Sequence, residues 1–257
     1  MGFPGLELNG RLAVVIGGTS GIGRAIACGL ADAGADVVAT GRRGELVDAV
    51  AGEVEARGRR ALRITSDVTD AASLERLRAA CERLGPVDIL VNSAGITERT
   101  ATLDLSDAAW QRILETNLTG TLRTCRLFGR GMLERGYGRI INIASLTSLL
   151  GFHEVAAYAA SKAGVASLTR SLAVEWGDRG VCVNALVPGV FRTPLNEGLL
   201  DGTERGRELL LRTPQRRFGR PEELIGAAIF LASESASFVT GHLLAVDGGF
   251  LASGVNQ

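Results

Sequence analysis

LAVVIGGTSGIGRAIACGLADAG, residues 12–34, is the stretch that decides the fold of this chain. Five apolar residues at its start predict a buried strand, and the pattern after the glycines is typical of an amphipathic helix. Gly17, Gly21 and Gly23 let the backbone turn sharply and approach a pyrophosphate, which the N–H groups at the start of a helix attract. A strand, a glycine-rich turn and a helix in this order predict a dinucleotide-binding unit.

The same alternation of strand and helix continues along the chain. Further strands are predicted at 36–40, 60–64, 87–91, 139–145, 181–187 and 242–247. Seven strands with helices between them predict a parallel sheet covered on both faces, which is the doubly wound α/β architecture. No low-complexity linker divides the chain, so we expect a single domain over 1–257. The charged segment at about 191–220 is long enough to form a substrate lid.

Composition narrows the class of ligand. Acidic and basic side chains balance at 28 each, which gives no sign of a nucleic-acid or anionic-membrane partner and favours a small molecule. Four cysteines without C-x-x-C spacing are typical of buried thiols in a reducing cytoplasm, and we expect no metal site. No window approaches the roughly 18 apolar residues that span a bilayer, and no signal peptide is evident. We therefore expect a soluble, cytoplasmic protein.

Cofactor-binding residues are predicted where the strands end. After the second strand, Arg42 and Arg43 stand where a carboxylate would bind the ribose hydroxyls of NAD. Guanidinium groups fit a 2′-phosphate instead, so we predict NADP(H) as the preferred cofactor, with NAD(H) as the second choice. The other predicted contacts at these strand ends are Gly17, Thr19, Ser20, Gly21, Ile22, Gly23, Asp67, Val68, Asn92, Ala94 and Gly95. Two alternatives stay open: the arginines could only flank the strand in solvent, and Asp67 could cap the next helix.

A single lysine marks the predicted catalytic site. The chain has 27 arginines but one lysine, Lys162, and Tyr158 precedes it by four residues on the same helix face. Ser145 ends the fifth predicted strand at the carboxyl edge of the sheet. A cation about 5 Å from a phenol, at an effective dielectric near 20, favours the phenolate by roughly 3 kcal/mol. We therefore expect Lys162 to lower the pKa of Tyr158 by about two units.

Together with Asn117, these residues resemble the catalytic tetrad of the short-chain dehydrogenase/reductase family. The resemblance covers essentially the whole chain, including the spacing G-x-x-x-G-x-G at 17–23, VPGVFRT at 187–193 and VDGG at 246–249. Two positions depart from the family pattern: Ile16 replaces a threonine, and Ser93 replaces the second asparagine of N-N-A-G.

The resemblance implies a Rossmann-type fold and hydride transfer between a nicotinamide and a secondary alcohol or ketone. Tyr158 would act as the acid–base group, and Ser145 would hydrogen-bond the substrate oxygen. Lys162 would also hold the ribose, with Asn117 supporting a water chain to it. Tyr158 and Lys162 would thus contact the cofactor as well, and the remaining cofactor contacts that the resemblance implies are Pro188, Gly189, Val190 and Thr193.

The substrate side is less defined by the sequence. The segment 146–157 carries His153 and Glu154, and Arg192 begins the predicted lid; these residues and Ser145 are the substrate candidates. Glu98 and Arg99 are further polar residues near them. The N-terminal and C-terminal stretches resemble sugar-acid and polyol dehydrogenases such as the gluconate 5-dehydrogenases.

Two other functions are also compatible with the sequence. One is a 3-oxoacyl-[acyl-carrier-protein] reductase, for which Arg123, Arg126 and Arg130 on one helix would meet the acidic carrier. The other is an NADP(H)-binding regulator without turnover. The resemblance also implies a homotetramer, built through the small-residue helix predicted over 155–176, the helix before it and the last strand.

Overall fold

One parallel sheet organises the molecule. The computed structural model describes residues 5–193, 200 and 202–255. Within this part of the chain the strands are β1 (Leu12–Ile16), β2 (Asp36–Thr40), β3 (Ile89–Asn92), β4 (Gly138–Ile143), β5 (Val181–Pro188) and β6 (Leu243–Val246). Their order is β2-β1-β3-β4-β5-β6, and every neighbouring pair is parallel. This confirms the predicted doubly wound α/β sheet.

Helices cover both faces of this sheet. They are α1 (Gly21–Asp32), α2 (Gly44–Glu55), α3 (Ala71–Glu82), α4 (Asp107–Leu114), α5 (Gly120–Arg135), α6 (Ala156–Trp176), α7 (Glu204–Arg212) and α8 (Ile225–Ala232). The α6 helix begins one residue after the predicted start and ends where predicted. None of the helices in the described ranges is long and apolar enough to cross a bilayer.

The core divides into two layers because side chains alternate across a strand. On β1, Ala13 and Val15 pack with α1, α2 and α8. Leu12, Val14 and Ile16 point to the other face, where α3, α5 and α6 pack. Burial on both faces explains why the strands read as continuous apolar runs instead of alternating ones. All four cysteines are buried as free thiols.

The predicted strand at 60–64 is wrong. This segment runs beside β2 at the edge of the sheet, but Val37 N donates to Arg60 O and Ser66 N to Gly41 O (both 3.0 Å) without a regular ladder between them. A side chain replaces one backbone partner of a regular ladder, because the Arg60 backbone N–H donates to the Asp36 carboxylate at 2.7 Å. The described residues therefore contain six strands, one fewer than predicted.

Part of the predicted lid at 191–220 is helical, since α7 lies within it. Residues 194–199 and 201 of the predicted lid lie outside the described residues. Arg192 is described, with an exposed side chain and an N–H that donates to Gly219 O at 3.2 Å.

Candidate functional site

A cavity of about 750 Å³ lies at the carboxyl ends of β1, β2 and β3. The predicted residues that line it are Gly17, Thr19, Ser20, Gly21, Ile22, Gly23, Arg42, Arg43, Asp67, Val68, Ala94, Gly95, Tyr158, Lys162 and Thr193. The prediction missed several lining residues, among them Ile96 and Thr116, although their positions beside Gly95 and Asn117 were a usable signal. Strand ends at the reversal of strand order are where α/β sheets bind ligands.

Two glycines shape the floor of this cavity. Gly17 has φ +72°, and a Cβ there would lie 2.6 Å from Ala94 N. A Cβ on Gly23 would lie 2.2 Å from Gly17 O. A side chain at Gly17 would push the turn away from the segment that follows β3, and a side chain at Gly23 would push α1 away from the turn. The turn leads into α1, whose first turn contains no acidic residue, so the positive end of the helix dipole faces the cavity unopposed by a nearby carboxylate.

Arg42 and Arg43 lie at the end of β2 and are exposed. Neither forms an ion pair within the part of the chain that the structure describes. At Gly41 a Cβ would come within 2.8 Å of Thr19 Oγ1, so the glycine lets the backbone pass close to Thr19 just before the two exposed arginines. This arrangement leaves both groups able to meet an anion.

Asp67 also lines the cavity. Burial disfavours its ionised form, but hydrogen bonds from the Thr69 N–H and hydroxyl (2.9 and 2.7 Å) and the charge of Arg42 outweigh burial and lower the pKa of Asp67. The cap of α3 is Asp70, which accepts from Ala72 N at 2.9 Å. Asp67 therefore does not cap the following helix.

Four predicted cofactor residues do not line this cavity. Asn92 is buried, donating to Asn142 Oδ1 at 2.9 Å and accepting from the Thr124 hydroxyl at 2.7 Å, so its amide joins the sheet to α5. Pro188 ends β5, and Gly189 N donates to Val246 O at 2.9 Å. A fourth, Val190, lines a separate cavity of about 230 Å³.

Asn117 occupies a π-helical turn, Glu115–Thr119, between α4 and α5. Its side chain is fully buried. The amide oxygen accepts from Ile96 N at 2.8 Å, and the amide nitrogen donates to Ile96 O at 2.9 Å and to Ser161 Oγ at 3.0 Å. Wide turns of this kind are frequent at functional sites. Asn117 thereby holds the segment that follows β3 against α6.

Tyr158 and Lys162 lie one turn apart on α6, with the ammonium 5.8 Å from the centre of the phenol ring. Lys162 Nζ donates to Ile143 O at 2.6 Å. A Cβ on Gly95 would lie 3.4 Å from Asn117 Oδ1 and 3.6 Å from Lys162 Nζ, so the side chains of Asn117 and Lys162 meet at this glycine.

The expected lowering of the tyrosine pKa does not appear. Burial raises the pKa of Tyr158, and a hydrogen bond with Ser145 opposes that rise without cancelling it. Burial also lowers the pKa of Lys162 to about 8. Attraction between the two charges favours the phenolate, but the cost of removing each charge from water is larger here.

Ser145 follows β4 and begins a short 3₁₀ turn, Leu146–Ser148. Its hydroxyl accepts from Thr147 N at 3.2 Å and contacts the phenol of Tyr158. The turn thus brings a hydroxyl from the strand end to a phenol from α6. These two groups can share one substrate oxygen.

The substrate candidates His153, Glu154 and Arg192 do not line the 750 Å³ cavity. Glu154 has the unusual φ of +62° for a residue other than glycine. Its carboxylate lies 2.6 Å from Arg99 Nε and 3.7 Å from His153 Nδ1. The His153 side chain is mostly exposed. The ion pair of Glu154 with Arg99 therefore joins the segment after β3 to the segment before α6. Among the described residues, no group of three or more metal-ligating side chains comes together.

The chain is similar to known proteins over nearly its whole length. A family model described as enoyl-(acyl carrier protein) reductase matches residues 17–251. Gluconate 5-dehydrogenase of Gluconobacter oxydans (strain 621H) is 41% identical over 255 residues, which is 98% of this chain and 100% of that protein. Galactitol 2-dehydrogenase (L-tagatose-forming) of Cereibacter sphaeroides is 42% identical over 246 residues, 95% of this chain and 96% of that protein.

A solved structure is similar over nearly the whole chain. It is a gluconate 5-dehydrogenase from Burkholderia cenocepacia J2315 in complex with NADP and tartrate. The TM-score is 0.93 at 38% identity, and the match covers 97% of this chain and 98% of that chain.

Proposed function

Because this chain belongs to the short-chain dehydrogenase/reductase family, we propose that it is an NADP(H)-dependent oxidoreductase acting on a sugar acid or a polyol. It interconverts a secondary alcohol and a ketone by hydride transfer. The observation that carries this proposal is the meeting of Ser145, Tyr158 and Lys162 beside a cavity with a glycine floor and two arginines at its edge. The relatives that act on gluconate and galactitol support the substrate class.

The cavity fits a dinucleotide with a 2′-phosphate. Gly17 and Gly23 let the turn pack closely before α1, whose first N–H groups would bind the pyrophosphate, and Arg42 and Arg43 would hold the 2′-phosphate. Lys162 would hold the nicotinamide ribose. When bound, NADP(H) supplies or accepts the hydride.

In the reducing direction, Tyr158 donates its proton to the oxygen of the carbonyl. Its raised pKa keeps the phenol protonated at neutral pH, as a proton donor must be. Ser145 donates a hydrogen bond to the same oxygen and stabilises the charge that develops there. Lys162, with a pKa of about 8, is able to pass a proton toward the phenol at physiological pH. Oxidation of an alcohol uses the reverse steps.

Replacing Arg42 and Arg43 together by alanine is expected to raise the KM for NADPH by about 10- to 100-fold, since charge-assisted hydrogen bonds to the phosphate are lost. The KM for NADH should change little, because NADH lacks that phosphate. Initial rates with both cofactors measure this. Arg63→Ala is the matched control, because Arg63 is a half-exposed arginine paired with Glu55 away from the cavity. Equal turnover of the wild type with NADH and NADPH at matched concentrations would contradict the cofactor assignment.

A substrate panel tests the proposed function itself. Sugar acids, polyols and 3-oxoacyl thioesters are assayed with both cofactors in both directions. We expect turnover of sugar acids or polyols. Turnover of 3-oxoacyl thioesters alone would favour the carrier-protein reductase, for which Arg123, Arg126 and Arg130 line a groove between α3 and α5, with Arg123 also paired to Glu115. NADPH binding without any turnover would favour a regulator.

We also propose a single-domain, cytoplasmic homotetramer with a lid at about 191–220. Val174 on α6 and Phe238 before β6 are fully or almost fully exposed apolar side chains, on two of the surfaces expected to join subunits. Light scattering is expected to give about four times the 26.9 kDa mass of one chain. A monomeric mass would overturn the assembly without affecting the proposed chemistry.

A further inference from the structure

Ser148 connects two of the proposed catalytic residues without being one of them. Its hydroxyl oxygen accepts from the backbone N–H of Ser145 at 3.3 Å. The same hydroxyl donates to the backbone carbonyl of Lys162 at 2.8 Å. One side chain therefore links the 3₁₀ turn that carries Ser145 to the middle of α6.

Ser161 makes a second connection of the same kind. It is completely buried and accepts from Asn117 Nδ2 at 3.0 Å. Its hydroxyl donates to the backbone carbonyl of Tyr158 at 2.7 Å. Ser148 and Ser161 thus tie the four proposed catalytic residues together in two pairs, one hydroxyl for each pair.

These links matter because the four residues lie on three separate elements. Asn117 belongs to a π-helical turn, Ser145 to a 3₁₀ turn, and Tyr158 and Lys162 to α6. Apolar packing between such elements is not directional, whereas hydrogen bonds fix distance and orientation. An error of about 1 Å in the placement of reacting groups can cost about 100-fold in rate.

We propose that Ser148 and Ser161 are positioning residues that hold Ser145 and Lys162, and Asn117 and Tyr158, in working geometry. This inference rests on the proposed function, because it assumes that those four residues carry out the reaction. Neither serine lines the cofactor cavity. Their loss should therefore affect kcat and leave the KM for NADPH nearly unchanged.

The test uses the full-length protein and a substrate that the wild type turns over. Ser148→Ala is expected to lower kcat about tenfold or more with the KM for NADPH within about twofold, and Ser148→Thr, which keeps the hydroxyl, should recover most of kcat. Ser161→Ala and Ser161→Thr should behave in the same way. If Ser161→Ala does not fold, the kcat of Ser148→Ala still tests the proposal, because Ser148 is only half-buried.

Ser233→Ala is the matched control. Ser233 is a buried serine whose hydroxyl also donates to a backbone carbonyl at 2.8 Å, that of Phe230. It follows α8, and its own carbonyl accepts from Arg139 near the opposite end of β4. We expect a similar loss of melting temperature as in Ser148→Ala, with kcat unchanged.

Two results would overturn the inference. The first is a kcat of Ser148→Ala within twofold of an active wild type. The second is an equal fall of kcat in Ser148→Ala and Ser233→Ala, which would mean a general loss of stability. A wild type inactive on the whole panel would instead overturn the proposed function.

Discussion

Tyr158→Phe is expected to lower kcat by roughly 10²- to 10⁴-fold, the range that positioned acid–base groups contribute. The substitution removes one oxygen and keeps the ring, so the shape of the cavity changes little. The variant lacks the hydroxyl that is proposed to deliver a proton to the substrate oxygen beside Ser145. NADPH should still bind with a Kd within about twofold of that of the wild type. Steady-state turnover and a binding titration separate these two quantities.

The other tyrosine of the chain is a matched control for this change. Tyr137 lies between the guanidiniums of Arg11 and Arg139, 3.9 and 4.6 Å from its ring centre. Burial raises the pKa of Tyr137 to about 12. Tyr137→Phe also removes one hydroxyl from a partly buried ring, yet it should leave kcat intact. A Tyr158→Phe variant that keeps more than a tenth of the wild-type kcat would refute the role of Tyr158.

Lys162→Met is expected to abolish most turnover and to raise the melting temperature. The buried ammonium has a pKa of about 8, against an ordinary value of 10.5. Below pH 8 the folded protein therefore holds a charge at a cost of roughly 3 kcal/mol relative to the unfolded chain. Loss of the hydrogen bond to Ile143 O offsets about 1 kcal/mol of this. We expect a gain of a few degrees in the melting temperature at pH 7.

The stability difference between Lys162→Met and the wild type is expected to depend on pH. Between pH 8 and 10.5 the unfolded lysine binds a proton that the folded lysine does not, so the wild type gains stability as pH rises through this window. Lys162→Met lacks this titration, and its advantage should shrink accordingly when melting curves are recorded from pH 7 to 10. Lys162→Arg keeps its charge throughout and should show neither the gain nor the trend. A lower melting temperature for Lys162→Met at pH 7 would contradict the explanation.

Local patterns explain the parts of the site that were predictable. The glycine spacing at 17–23 and the four-residue step from Tyr158 to Lys162 depend on one turn or one helix, so the sequence contains them directly. Residues that follow the strands could also be predicted to lie together, because the carboxyl ends of parallel strands share one edge of a sheet. This reasoning predicted most of the residues that line the cavity.

The predicted strand at 60–64 was wrong because this segment lies at the edge of the sheet. The segment 60–64 has the composition of a strand, yet it has one neighbouring strand, β2, and side-chain hydrogen bonds interrupt its ladder. Similarly, Asp67 and Asp70 are equally good caps in the sequence. Only the path of the backbone after the segment 60–64 determines that Asp70 accepts from an N–H of α3 and that Asp67 accepts from Thr69.

The sequence by itself determined the dinucleotide-binding unit, the parallel α/β sheet and the identity of the four proposed catalytic residues. The tertiary structure alone decided the pKa directions of Tyr158 and Lys162 and the bridging contacts of Ser148 and Ser161. The physical reason is that burial and hydrogen bonds between separate elements depend on residues far apart in the chain. Charge attraction can be estimated from spacing along a helix, but the cost of desolvation depends on everything packed around the charge.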